Sequence, residues 1–124
     1  MSDRSHRGRV ADRRGRIAEA AVEAALLRDG WIVRARRLRT PAGEIDLVAE
    51  KDNLLAIVEV KARRSLVQAA EALSARQQAR LVAAADIALM QHPEWGKNGV
   101  RFDLLLVDPA GTIRRIADAF RGNG

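Results

Sequence analysis

Asp46 and Glu59 stand where a strand would normally place core residues. The first lies in Gly43-Glu44-Ile45-Asp46-Leu47-Val48-Ala49-Glu50, the second in Leu54-Leu55-Ala56-Ile57-Val58-Glu59-Val60-Lys61. Both runs are apolar and β-branched, and an ionised carboxylate among aliphatic side chains is costly unless a cation or hydrogen bonds compensate it. Lys61 follows Glu59 by two positions, on the same side of an extended strand. If Asp52-Asn53 forms a two-residue hairpin turn, for which the pair is well suited, Lys51 faces Leu54 and Asp46 faces Glu59. A four-residue loop preserves that register, whereas a three-residue loop sends the two carboxylates to opposite faces. Like charges directly opposite each other destabilise a sheet, and a shared divalent cation reverses that. In the same register Glu44 faces Lys61, so the pattern alone leaves two readings open: a metal-centred site or a solvated charge cluster with a salt bridge.

These residues need elements to hold them. Residues 1–14 read as a basic, disordered tail, with little apolar surface to bury. From about Asp12 to Arg28 the spacing of Ile17, Ala18, Ala21, Val22, Ala25 and Leu26 predicts a helix, stopped by Gly30. Glu19 and Glu23 lie one turn apart on it, the ordinary arrangement of solvent-facing helix charge. Trp31 to Leu38 alternates as a half-buried strand, with Trp31, Val33 and Ala35 on one side and Ile32, Arg34 and Arg36 on the other. Ser74-Ala75-Arg76-Gln77 is a capping box that opens a helix to about Gln91. A loop from Pro93 to Gly99, a buried strand Val100 to Val107 and a last strand Thr112 to Ala117 complete the chain. The order is helix, three strands, helix, two strands, which predicts one α/β domain over residues 15–120: a mixed sheet flanked by helices. The acidic strands pair antiparallel, and the crossover helix brings Val100–Val107 parallel to a central strand.

Composition narrows the function classes. The 124 residues contain no cysteine, which excludes disulfides and thiolate metal sites. No apolar run approaches the roughly 18 residues needed to span a bilayer, and the N-terminus lacks the apolar stretch of a secretory signal, so a cytoplasmic protein is expected. The net charge is +6, and arginine outnumbers lysine 19 to 3. Arg34, Arg36, Arg37 and Arg39 precede the acidic strands, and Arg63 and Arg64 follow them. Basic flanks around a carboxylate site suit a polyanionic substrate, and the planar guanidinium fork matches phosphate oxygens. A GC-rich genome produces the same arginine bias without any functional demand.

Asp46, twelve residues, Glu59, one apolar residue, Lys61: this D-x(12)-E-V-K pattern on a hairpin resembles the PD-(D/E)xK restriction-endonuclease-like superfamily. That superfamily shares a core of one helix, three antiparallel strands, a helix and a further strand. More closely, the chain resembles the bacterial YraN family, itself similar to archaeal Holliday-junction resolvases. Glu19 in Ala18-Glu19-Ala20-Ala21, Gly43-Glu44-Ile45-Asp46-Leu47, Val58-Glu59-Val60-Lys61-Ala62-Arg63, Arg80-Leu81, Arg101-Phe102-Asp103 and Ala119-Phe120 carry the likeness, over about residues 15–120. The resemblance implies a metal-dependent DNA endonuclease, with branched or junction DNA as a candidate substrate. A nucleic-acid-binding module that does not cut is the alternative.

By the same resemblance, Asp46, Glu59, the Val60 carbonyl and Glu19 hold Mg²⁺ or Mn²⁺, the ions that all-oxygen ligation favours. Lys61 orients or deprotonates the attacking water and offsets transition-state charge. Arg34, Arg36, Arg37, Arg39, Arg63, Arg64, Arg76 and Arg80 are the candidate phosphate contacts, and a homodimer would suit symmetric junctions. Two positions depart from the pattern. Ile45 replaces the superfamily's proline, as it does in the YraN family, and Gln77 replaces a lysine common in that family. If that lysine contacts phosphate, Arg76 or Arg80 must substitute for it.

Overall fold

The computed structural model describes residues 3–121, with side chains described from Arg13 onward. The elements are α1 (Asp3–Arg28), β1 (Ile32–Thr40), β2 (Gly43–Lys51), β3 (Leu54–Ala62), α2 (Leu66–Glu71), α3 (Ala75–Gln91), β4 (Val100–Val107) and β5 (Ile113–Phe120). The five strands form one sheet in the order β1-β2-β3-β4-β5, antiparallel except for the parallel β3–β4 pair. This is the predicted mixed sheet flanked by helices, with the αβββαβ order and an added C-terminal strand. Among the described residues no helix is long and apolar enough to cross a membrane.

Helix α1 buries Ala18, Val22 and Leu26, one turn apart on a single face. It ends where Gly30 adopts φ 89°, so that Trp31 N–H reaches the Leu26 carbonyl (3.0 Å) and Gly30 N–H reaches Leu27 (3.1 Å). This glycine-terminated cap also brings Trp31 into the core beside Leu26. The helix starts at Asp3, upstream of the predicted Asp12, although its first turns mix arginines with weaker helix formers such as Ser5 and Gly8. The predicted tail therefore falls mainly on residues whose side chains lie outside the description.

Two apolar layers sandwich the sheet. Val22, Leu26, Trp31, Leu47, Ala49 and Val58 pack between the sheet and α1. On the other face Ile45, Val48, Ile57, Leu104 and Leu106 meet Leu81, Ala84 and Ala88 of α3. Asp52 (φ 53°) and Asn53 (φ 65°) both take left-handed backbone, the requirement of a two-residue type I′ hairpin turn. Lys51 therefore pairs with Leu54 and Leu47 with Val58, the register predicted for the acidic strands.

Three local features differ from the prediction. A bulge between Val33 and Ala35 breaks the β1 alternation, so Val33 packs on the α1 side and Ala35 on the α3 side. The extra residue, Arg34, points its guanidinium at buried Glu50 (2.8 Å), whose other oxygen accepts from Gly96 N–H (2.8 Å). Helix α2, missed in the sequence, is capped by Ser65, whose hydroxyl accepts from Gln68 N–H (3.2 Å). Strand β5 runs on past Ala117 to Phe120 because Asp118 absorbs an irregularity in left-handed backbone (φ 54°).

Candidate metal centre

Glu59 and Lys61 alternate with Val58 and Val60 along β3, which turns both toward α3. The paired β2–β3 ladder ends at Leu47↔Val58, one step short of Asp46 and Glu59. At that step Asp46 Oδ2 takes the Val60 N–H (2.8 Å), so a side chain stands in for a backbone acceptor. Both flanking strands change phase here. Leu47 faces α1 while Ile45 faces α3, and across from them Arg36 reaches Glu23 of α1 while Leu38 joins the α3 side. Arg37, between them and opposite Asp46, carries the left-handed backbone (φ 46°) that this switch requires.

Glu59 is only 6% exposed. Its Oε2 accepts from Gln77 Nε2 (2.6 Å) and lies 3.2 Å from Lys61 Nζ, which is itself largely buried. Asp46 and Glu59 meet carboxyl to carboxyl. Burial foremost, and then the hydrogen bond and charge of Glu59, push the Asp46 carboxyl up to about 7, against the opposing pull of Val60 N–H and Lys61. Added positive charge would relieve the repulsion between like charges this close. Gly43, Glu44, Asp46, Glu59, Gln77, Arg80 and Leu81 enclose a small pocket of about 100 Å³ around them. Its oxygen-only donor set at a site short of positive charge fits a hard divalent cation.

The bond from Gln77 to Glu59 is what sequence reading missed here. Its backbone N–H caps onto Ser74 Oγ (3.1 Å) as predicted. Its side chain does not close the capping box and crosses instead to Glu59. Glu19 stands apart from the acid pair: its carboxylate takes Arg37 Nε (2.8 Å) and Nη2 (3.4 Å). Among the described residues no cluster of three Asp, Glu, His or Cys side chains is spaced to hold a metal.

The candidate phosphate contacts divide into two groups. Those of β1 face carboxylates of the same chain: Arg34 meets Glu50, Arg36 grips Glu23 through two bonds (2.6 and 2.7 Å), Arg37 meets Glu19, and Arg39 lies 3.8 Å from Glu44. Arg64, Arg76 and Arg80 are exposed and, among the described residues, form no side-chain ion pair, and Arg63 donates only to the Ala62 carbonyl (2.9 Å). Arg80 is on the wall of the acid pocket and Arg76 is in the first turn of α3.

A further buried carboxylate lies in β4. Asp103 is 1% exposed and accepts from Arg101 Nε (3.2 Å), from Arg115 Nε (3.1 Å) and Nη2, and from Asp118 N–H (2.9 Å). Both guanidinium groups also lie over the Trp31 ring, at 5.4 and 5.0 Å.

A family model described as "Uncharacterised protein family UPF0102" matches residues 18–107, most of the chain. The chain belongs to the UPF0102 family. A UPF0102 protein of Granulibacter bethesdensis is 59% identical over 115 residues, covering 93% of this chain and 73% of that relative. UPF0102 proteins of Azorhizobium caulinodans (45% over 118 residues, 95% and 90% covered) and Acidiphilium cryptum (46% over 115 residues, 93% and 89% covered) are also similar. The segment matched by the UPF0102 model takes in the whole acid pocket, together with Glu19 and Asp103.

Proposed function

We propose that this UPF0102 protein is a metal-dependent nuclease that hydrolyses phosphodiester bonds in DNA, with branched or junction structures as the candidate substrates. The observation that carries this reading is the direct apposition of Asp46 and Glu59 at a small pocket, with Lys61 against Glu59 and Arg80 on the pocket wall. Asp46, Glu59 and the Val60 carbonyl would hold Mg²⁺ or Mn²⁺, which when bound supplies Lewis-acid polarisation of a phosphoryl oxygen. Lys61 Nζ, held against Glu59, orients the attacking water and faces the charge that develops on the phosphoryl oxygens. Gln77 fixes the Glu59 carboxylate through a neutral hydrogen bond, so it positions the site without cancelling its charge. Arg76 and Arg80, which have no carboxylate partner among the described residues, neutralise the phosphates that flank the scissile bond.

The test is Mn²⁺ titration together with cleavage of a labelled panel of four-way junction, flap, single strand and duplex. Asp46→Asn and Glu59→Gln should each weaken Mn²⁺ binding, and these two and Lys61→Ala should each lower cleavage by more than about 100-fold. Mn²⁺ held equally well by Asp46→Asn, or a wild type that cuts nothing, would sink the nuclease reading. A second reading rests on Gln77 and Lys61 already satisfying Glu59 Oε2: a nuclease-like scaffold that binds nucleic acid without cutting it. Metal-independent binding without cleavage would favour that one.

A further inference from the structure

Beyond Lys61, strand β3 leads away from the acid pocket into a second and larger concavity. It has a volume of about 690 Å³ and opens at the C-terminal ends of β3 and β4, the only parallel pair in the sheet. In open α/β sheets, the crevice outside the carboxyl ends of parallel strands is a recurrent ligand site. Ile17 and Ala18 of α1 form one wall, Val107 and Pro109 the other, and Arg14, Arg63 and Arg64 contribute to the lining.

Charge and shape point to one kind of occupant. Arg14 and Arg64 form no side-chain ion pair among the described residues, and Arg63 meets only a backbone carbonyl. The one carboxylate of the lining, Asp108, is engaged through Oδ1 by the N–H groups of Ala110 (3.0 Å) and Thr112 (2.9 Å). Three guanidinium groups thus meet one inward-tied carboxylate, unlike the arginines of β1, which have partners of their own. Ile17 is 62% exposed although it borders the cleft, an apolar surface left open to water. The volume falls in the range of small-ligand pockets and suits a single nucleotide. Guanidinium planes bind phosphate and also stack on unpaired bases, while aliphatic walls accept a base's face.

We infer that this cleft binds one unpaired nucleotide of a single-stranded or branched nucleic acid. Its phosphate lies on Arg14, Arg63 and Arg64, and its base lies between Ile17 and the Val107–Pro109 wall. The inference rests on the reading of the acid pocket only for the kind of polymer, because the cleft lies beyond Lys61 and needs no metal. It gives the protein a means of preferring junctions and flaps over continuous duplex.

The experiment uses the full chain in EDTA with a fluorescent single strand, a duplex of the same sequence, a deoxynucleoside monophosphate as competitor and an acidic peptide as a second competitor. Single strand should bind at least about tenfold tighter than duplex. Arg14→Ala/Arg64→Ala should weaken single-strand binding at least tenfold and reduce its salt slope by about 0.7, one phosphate contact's worth. Ile17→Trp, an exposed helix substitution that fills the cleft, should weaken single-strand binding by a similar factor while leaving duplex binding and the salt slope unchanged. Arg28→Ala, at the far end of α1, removes one charge and should shift neither affinity by more than about twofold. Competition by the monophosphate but not by the peptide supports the site. Equal losses on duplex and single strand, indifference to Ile17→Trp, or equal competition by the peptide would overturn it. Cleavage lost with this binding intact counts against the nuclease alone, and the converse against the cleft alone.

Discussion

Asp103 and Glu59, the latter paired with half-buried Asp46, are carboxylates buried in one sheet, and their surroundings differ in charge. Around Asp103 two guanidinium groups and a backbone N–H face one carboxylate, under the ring of Trp31. Around Asp46 and Glu59 two carboxylates face one ammonium, an amide and a backbone N–H. Burial alone does not separate them, since Asp103 and Glu59 are almost equally hidden. The count of compensating charge does. Asp103 is fully met from within the chain and fastens β4, β5 and the α1–β1 corner together. The acid pair has Lys61 alone in direct contact, with Arg80 on the pocket wall and in no ion pair with either acid, a poor arrangement for structure alone.

Substitutions can break this contrast or sharpen it. The largest change in stability is expected from Asp103→Ala, which leaves Arg101 and Arg115 facing each other without their anion. Removing one partner of a buried pair costs about 3–5 kcal/mol, and because both arginines are roughly a quarter exposed the low end applies. A loss of about 3 kcal/mol lowers Tm by roughly 10 °C in a domain of this size. Circular dichroism melting checks this, and an unchanged Tm would erase the distinction between the two regions. Mn²⁺ binding per folded molecule should be unaffected.

Asp46→Asn is expected to act in the opposite direction above neutral pH. The Asp46 carboxyl is raised from 3.8 to about 7, so the fold favours its protonated form. That contribution is complete below about pH 4 and is lost as pH rises through about 7. Metal-free wild type should therefore lose stability between pH 6 and pH 8, and Asp46→Asn should flatten this loss. Melting in EDTA at the two values decides it, and a wild-type Tm that rises over the interval would reverse the assigned sign. The smallest effect is expected at Gln77. Gln77→Ala removes one partly buried hydrogen bond to a carboxylate and should cost about 1–2 kcal/mol. Gln77→Lys supplies the missing charge and should raise Tm, more at pH 8 than at pH 6.

The hairpin that carries the acid pair was legible in the sequence because its rules are local. Asp52-Asn53 dictates a two-residue turn, the turn sets the register, and a period of two sets the faces. The helix stop at Gly30 and the parallel crossover to β4 were readable for similar reasons. Pairings between distant elements were not. Nothing in the spacing of Gln77 marks its side chain for Glu59 rather than Ser74, and nothing in the run Arg34 to Arg39 shows that its cations face Glu50, Glu23, Glu19 and Glu44. The bulge at Arg34 also escaped a reading by strict alternation, because one inserted residue reverses every face beyond it. Asp103 is noticeable in the sequence as an acid inside an apolar strand, but its partner Arg115 arrives only once β5 folds back.

Every residue that encloses the acid pocket falls between Gly43 and Leu81, on one uninterrupted stretch of chain. The Asp103 network, by contrast, gathers Trp31, Arg101, Arg115 and Asp118 from both ends of the sequence. The acid pocket is therefore a portable cassette, and the fastenings of the scaffold are dispersed. Recombination or circular permutation with a joint in the loop before β4 transmits the pocket whole. The same joint separates Trp31 from the four β4 and β5 residues of its network, so shuffling of this fold would test its scaffold long before it disturbed the acid pocket.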